Sequence, residues 1–586
     1  MSGMGQAYDV ETEVLVVGAG LAGATAAVLL ARHGIRTMMI SRGHWVADSP
    51  RAHIVNQRTM EVMRAIGLEA ACYQQATPGE LMANHVMMNA VAGREFGRLW
   101  TWGNHPARQG EYAAASPGKG CDLPQDRYEP ILVGEANRLG VTTRYGMKFV
   151  GLEQDADGVT STVEDLVTGG TVRIRAQYVI GADGGQSPVA QAVGLPLEGT
   201  SGLAPALNVL FTADLSRYLA HRPGSIFWIM QPDREGKLGN AMLRMVKPWY
   251  EWVVGFVHLG ESVTELSTEQ VTQQVRDIIR DDSIEVRVHG VYPWRINHVI
   301  ARRYHEGRVF CAGDAVHRHP PMNGLGGNTC IQDSFNLAWK IAAVLRWGAG
   351  PQLLESYTAE RQPVGQQVVD RAIASWRQNP EVIASLGIDQ SADPATRLRQ
   401  FEELFADTDA GEARREAFEK AKRSKDYSYH AHGVEMNQVY TSSAVIDDGS
   451  GPVVYQRDPE LHYQASSHPG ARLPHCWVGY RGRTLSTLDL TTPERFTLIA
   501  RTRGAAWLDA AATVAAQTKV PLTALRIGPG REVEDLYGEW ASLSEVEETG
   551  CLLVRPDQHI AWRVRSMPDD PTAALGNALR AVLDLR

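Results

Sequence analysis

The first sustained apolar run is Glu13–Val17 (EVLVV), short and Val-rich, which predicts a strand buried on both faces. Gly18-Ala19-Gly20-Leu21-Ala22-Gly23 follows at once, and the spacing then turns helical across the Ala/Leu-rich stretch Ala24–His33. Gly34 ends that helix, and Ile35–Ile40 returns to strand character. Two later apolar runs also end on glycine and aspartate: Tyr178–Gly184 (YVIGADG) and Gly307–Asp314 (GRVFCAGD). Between about Glu198 and Tyr304 the pattern breaks into short strands at Leu207–Phe211, Ser225–Gln231, Ala241–Val246 and Trp252–His258, the pattern of a mostly antiparallel sheet. A helix is predicted from Cys330 to about Trp347, with further helix to about Ala374, and Thr396–Lys425 is charged and helix-favouring. The remainder mixes helix with strand signals such as Arg495–Ala500 and Cys551–Val554.

A chain of 586 residues is too long for one simple core. The pattern divides it into an α/β unit in two pieces (1–195 and 305–395), an inserted sheet (196–304), a helical connector (396–432) and a C-terminal domain (433–586). The net charge of −9 argues against a large nucleic-acid footprint, which normally needs a basic face. The six cysteines contain no Cys-x-x-Cys pair, so zinc-ribbon and redox spacings are absent from the sequence. No run of about 18 apolar residues occurs, which predicts no membrane span. The polar start, Met1–Val10, lacks the pattern of a secretory signal, and the expectation is a cytoplasmic protein.

The strand–glycine–helix–strand order around Gly18, Gly20 and Gly23 is the βαβ context of the G-x-G-x-x-G fingerprint. Its glycines allow a tight turn and close approach of a pyrophosphate to a helix N-terminus. The acidic residue that should close the second strand and hold a ribose is missing; the chain reads Ile40-Ser41-Arg42. Arg42 could accept a 2′-phosphate, as in an NADP domain, or Ser41 and Arg42 could contact FAD, and this loop leaves both open.

GAGLAG, GADG and AGDAVHRHPPMNGLGGNT, in that order, resemble the single-component FAD-dependent aromatic hydroxylases, in particular their phenol hydroxylase branch. Further similar stretches are PRAHIVNQRTMEVMRAIGL, CDLPQ, LRMVKPW and GCLLVRPDQHIAWR, so the resemblance covers essentially the whole chain. It implies a Rossmann-like FAD domain, an inserted substrate sheet and a thioredoxin-like C-terminal domain serving packing and oligomer contact. The implied reaction consumes NAD(P)H and O2 and hydroxylates a phenolic or hydroxylated heteroaromatic ring through a flavin C4a-hydroperoxide, ortho to an existing hydroxyl.

The same resemblance implies roles for individual residues. Asp314 would meet the FAD ribityl chain, and Pro321, Gly326, Gly327 and Asn328 would line the flavin ring. Arg51 and Gln125 would contact the diphosphate or ribityl region, and Asp183 would serve both FAD and NAD(P)H. Arg58 would touch the cofactor or pair with Glu61 three residues on. Where the family often carries an arginine after the serine, this chain has Ser187-Pro188-Val189-Ala190-Gln191. Asp122 would be the base that takes the phenolic proton, with His53 the second candidate for that role and Arg244 stabilising anionic charge. Trp228 and Trp294 would wall the substrate pocket. His317 and His319 lack a third ligand at metal spacing, so no metal is expected. The expected partners are a small aromatic substrate and further copies of the chain, without nucleic acid or membrane. The readings kept beside this one are a tailoring hydroxylase of a larger natural-product intermediate, an FAD-dependent epoxidase or dehydrogenase, and a non-enzymatic flavin-binding module.

Overall fold

The strand Val10–Val17 pairs in parallel with Thr37–Ser41 on one side and Thr171–Gly181 on the other, in a computed structural model describing residues 8–234, 238–239, 241–257 and 266–585. Val309–Cys311 adds in parallel beyond Thr171–Gly181, and Thr142–Tyr145 beyond Thr37–Ser41. These strands therefore end at one edge. The helix Leu21–Arg32 covers one face and packs against the long helix Gly326–Arg346, to which Ser334 Oγ ties it by donating to Ala22 O at 2.7 Å. Val14, Leu15 and Val16 have no solvent exposure, as strands covered on both faces require.

The second sheet has eight strands, in the order His317–Arg318, Arg287–Ala301, Leu197–Thr212, Glu251–Val257, Ala241–Lys247, Ile226–Ile229, Asn84–Met88 and Glu95–Trp100. All its pairings are antiparallel except Ile226–Ile229 with Asn84–Met88. It thus draws two strands from 84–100, a stretch assigned from sequence to the first piece of the α/β unit. Of the predicted strand Trp252–His258, His258 lies outside the described residues, as do the first seven residues of Met1–Val10. The predicted helical connector resolves into Pro394–Glu402 and Asp409–Ser424.

A four-stranded sheet of Leu522–Arg526, Phe496–Ala500, Cys551–Val554 and Ile560–Val564 organises the C-terminal region. Its first pairing is parallel and the other two are antiparallel, with helices Ala505–Thr518 and Pro571–Leu583 alongside. The α/β and C-terminal regions are joined by fully buried charge. Glu360 on the helix Gln352–Arg377 receives Lys340 Nζ at 2.7 Å and Arg555 at 2.6 and 2.8 Å. Burial alone would raise the Glu360 carboxyl, but Arg555 and Lys340 hold it well below the usual carboxylate range. Arg58 pairs with Glu61 at 2.9 Å and donates to Gln558 Oε1 and Asp557 O, so its expected ion pair is present and extends into the C-terminal region.

Among the described residues no helix is long and apolar enough to cross a membrane. Substituting Glu360→Gln leaves Lys340 buried without its counter-charge and Arg555 with Asp557 alone. The expected loss is about 3–5 kcal/mol of stability, measured by urea unfolding; a loss below about 1 kcal/mol would show that the cluster holds the two regions together only weakly.

Candidate active site

Three turns converge at the common strand edge. Gly18 leaves Val10–Val17 with φ +108°, and a Cβ there would lie 2.1 Å from Ala182 O at the end of the neighbouring strand. A Cβ on Gly23 would lie 1.9 Å from Gly18 O, so the turn and helix can close only around glycine. Gly20 has no such conflict; the nearest atoms to its Cβ position are Glu129 Oε1 at 3.5 Å and Gln125 Nε2 at 3.9 Å. Ser41 and Arg42 stand at the end of the next strand, Arg42 exposed and its charge felt by Asp183. Arg51, exposed, is fixed beside Gln125 because Gln125 N donates to Arg51 O at 2.8 Å.

The two later aspartates differ. Asp183 accepts from Ser187 Oγ and from Val189 N at 3.0 Å, so its carboxylate shapes its own turn, and burial raises its pKa against these bonds. Asp314 follows Val309–Cys311 with an exposed carboxylate whose neighbour is the Cys330 thiol at 3.8 Å. Gly326 and Gly327 open the helix Gly326–Arg346, where backbone N–H groups have no acceptor within the helix. Asn328 is buried; its side chain accepts from Asn56 N at 2.9 Å and donates to Ile54 O at 2.8 Å, which locks this helix start to the segment carrying His53. Pro321 is exposed at the head of that loop, and Asn323 beyond it takes φ +64°.

His53, Asp122 and Arg244 come together from three separate segments. Ile54–Val55 pairs with Cys121–Asp122, which sets His53 Nδ1 3.0 Å from Asp122 Oδ1, with both side chains almost fully buried. Ala52, at φ +51°, delivers the histidine from a left-handed backbone, a strain that only tertiary contacts sustain. Burial, and then the charge of Arg244, lower the His53 pKa, against the pull of Asp122. With the ring neutral and its Nδ1 proton donated to Asp122, Nε2 keeps a lone pair, and that atom is sealed from solvent without a hydrogen-bond partner. Arg244 Nε and Nη2 are likewise buried and unpartnered. Unsatisfied buried groups of this kind are costly unless a bound molecule satisfies them.

The glycine cradle, the outward Asp314 and the free N–H groups at Gly326–Asn328 fit an extended dinucleotide with an anionic middle and an electron-rich ring. The FAD binding domain family matches residues 11–372, and the aromatic-ring hydroxylase C-terminal family matches residues 466–585. The chain belongs to the FAD-binding aromatic-ring hydroxylases. It is 46% identical over 581 residues to 2,4-dichlorophenol 6-monooxygenase of Cupriavidus pinatubonensis, covering 98% of this chain and 97% of that protein. Phenol 2-monooxygenase of a Pseudomonas species is 42% identical, over 97% of this chain and 92% of that protein. Among solved structures, the flavin-dependent monooxygenase PieE in complex with FAD and substrate superposes with a TM-score of 0.94 at 42% identity, covering 99% of this chain and 100% of that one. The glycine-loop choice between NADP and FAD is thereby settled: the cofactor is FAD, with NAD(P)H and O2 consumed as co-substrates of a flavoprotein monooxygenase.

Beside the hydroxylase's His53–Asp122 ribbon lies a cleft of about 1120 Å³. Its buried walls include Ile54, Val55, Met82 and Cys121, and Tyr429, Glu435 and Trp477 close it from far along the chain. Trp228 and Trp294 do not line this cleft, and neither do His53, Asp122 and Arg244, which stand next to it. Trp228 faces a core of Met87, Met230 and Val382 and donates Nε1 to Gly239 O at 2.7 Å. Trp294 donates to Asn208 Oδ1 at 3.1 Å within the second sheet. Tyr429 and Glu435 were not singled out from sequence, because nothing local marks a carboxylate or phenol as facing a cavity. Among the described residues no group of three metal-ligating side chains occurs, and His317 Nε2 meets Asp333 Oδ2 at 2.9 Å.

The glycine geometry yields a direct test. Gly18→Ala introduces both a strained positive φ and a backbone clash, so the purified variant should carry well under half the normal complement of bound flavin, read from its visible absorbance against protein. Full flavin content would show that the turn relaxes and does not depend on close approach.

Proposed function

We propose that this monooxygenase hydroxylates a phenolic ring ortho to its existing hydroxyl, with His53 and Asp122 taking the phenolic proton and Arg244 stabilising the oxyanion. The reaction balances as ring C–H plus O2, NAD(P)H and a proton giving ring C–OH, NAD(P)+ and water. The chemistry supplied by bound FAD is electron uptake from NAD(P)H and activation of O2. The observation that carries the reading is the buried His53–Asp122 pair with an unpartnered Nε2, and the buried, unpartnered Nε and Nη2 of Arg244. The 42–46% identity to enzymes named as acting on phenol and dichlorophenol supports it.

A phenol of pKa about 10 and a neutral histidine are poorly matched in water. In this site the protonated ring would sit against Asp122, and the phenolate against Arg244, so both products of the transfer meet fixed opposite charge. Asp122 in this reading holds the tautomer and Nε2 receives the proton, which shifts the sequence expectation of two alternative bases to one coupled pair. The glycine cradle holds Gly18, Gly20 and Gly23 at the pyrophosphate, with Ser41, Arg42, Arg51, Gln125, Asp183 and Asp314 along the dinucleotide and Pro321 to Asn328 at the flavin ring.

The parallel strands of the central sheet support a Rossmann-like dinucleotide domain. The order 522–526, 496–500, 551–554, 560–564 with flanking helices supports a thioredoxin-like C-terminal domain lacking a Cys-x-x-Cys pair. We place the enzyme in the cytoplasm as a homo-oligomer.

Asp122→Asn should lower turnover about 10²–10⁴-fold for weakly acidic phenols, and far less for phenols acidified by ring substituents. Because the His53 pKa lies below its ordinary value of 6.5, the acid limb of kcat/KM should fall below pH 6.5. Equal losses across phenols of different acidity, with oxygen from ¹⁸O2 still entering product, would remove the pair from proton transfer.

A further inference from the structure

The cleft is far larger than one phenolic ring. Its volume of about 1120 Å³ is just above the range of about 300–1,000 Å³ common for clefts that hold drug-sized ligands. Its composition is graded. Apolar and buried Ile54, Val55 and Cys121 lie at the end shared with the His53–Asp122 ribbon, whereas exposed Gln74, Glu80 and Lys119 form the rim. The stretch between is aromatic, with Trp102, Tyr112 and Tyr429 on the wall, and Tyr112 held flat against His432 at a centroid distance of 3.8 Å. A monooxygenase must keep water from the position of oxygen transfer, or reductant is spent on H2O2. A single small ring would leave most of this cleft unfilled.

Polar groups on the same wall are spaced for something beyond the ring. Asn56 Oδ1 accepts from Thr59 N and so caps the helix Gln57–Ala65, while its buried Nδ2 is turned to the Glu435 carboxyl on the cleft wall. Glu435, on the short helix His432–Met436, has its carboxyl raised by burial to about 7 against the charge of Arg108 and the Asn56 amide, so the two form one polar spot on the wall. Neither residue belongs to the proposed proton-transfer pair.

We propose that the natural substrate is a phenol bearing a bulky, largely apolar substituent that fills the cleft outward of the ring, with a hydrogen-bonding group on that substituent received by Asn56 and Glu435. This rests on the phenol reading and narrows it to a substrate class. The sequence left a small phenol and a larger intermediate both open, because the cleft walls come from residues 54–57, 73–82, 102–121, 429–435 and 477.

The experiment uses the FAD-loaded enzyme and a series from phenol through 4-alkylphenols of rising length to members ending in a hydroxyl or amine. Calorimetric Kd should fall about fourfold per methylene buried, and the ratio of hydroxylated product to H2O2 should rise in parallel. Ala113→Trp, at an exposed cleft-lining position on the helix Gln109–Ala115, should abolish the gain for the long members and leave Kd for phenol unchanged. Glu435→Gln should weaken the amine-ended members about tenfold and the plain alkyl members little. A flat Kd along the series, or phenol coupled as fully as the long members, would overturn the proposal. If long members bind tightly but no phenol of any length yields oxygenated product, the phenol reading fails while the cleft's preference stands.

Discussion

The close approach of the first strand's end to the strand beside it is the constraint on which the rest of the site depends. Val17 and Gly181 are register partners, and the chain leaves both at the same level. Gly18 must therefore turn where a Cβ would lie only 2.1 Å from Ala182 O. Because parallel strands share an edge, this same geometry brings the Asp183 and Asp314 turns beside the glycine loop without any contact among the three motifs in sequence. One backbone arrangement thus sets the three turns side by side, and the helix Gly326–Arg346, bound to Leu21–Arg32 through Ser334, closes the proposed cofactor track at its ring end.

The chemistry is then hung on that frame by two ties. Asn328 joins the start of the long helix to Asn56 N and Ile54 O, so the loop meant for the flavin ring and the segment bearing His53 cannot move independently. The two-residue ribbon Ile54–Val55 with Cys121–Asp122 sets the second tie, holding the His53–Asp122 distance. Arg244 reaches the pair from the second sheet, where its strand lies between Ile226–Ile229 and Glu251–Val257. Positioning of this kind is worth large factors in rate only while the supporting contacts stay rigid, which gives the buried Arg58–Glu61–Arg472 and Glu360–Arg555 clusters a consequence for the site as well as for stability.

What was legible in the sequence was local. The glycine loop, the two Gly-Asp turns and the first βαβ unit announce themselves because each depends on residues within a few positions of one another. Strand existence in the second sheet was also visible, since alternation is a local signal, but its extra strands at 84–100 were not, because pairing partner is a long-range property. Resemblance supplied His53, Asp122 and Arg244, and the structure brings those three together. Trp228 and Trp294 lie outside the cleft wall: the register puts Trp228 on the sheet face of Arg244, but farther along it, in a core with Met87 and Val382. Glu435 and Trp477 were invisible because ordinary residues become cleft walls only once the C-terminal half folds back.

The electrostatics of the proposed proton transfer explain why three residues are gathered where two would suffice to hold a proton. Before transfer, Asp122 and Arg244 are the fixed charges and His53 and the phenol are neutral. After it, the imidazolium and phenolate form a second pair, and the net charge of the buried cluster is unchanged. Without Asp122 the imidazolium would be an unpaired buried cation beside Arg244, which already depresses the histidine. Without Arg244 the phenolate would be an unpaired buried anion. Interactions of either kind are strong in a low-dielectric interior and costly when left unpaired. The arrangement therefore keeps the histidine neutral at rest, when a charge would be costly, yet offers each new charge a partner at the moment it forms.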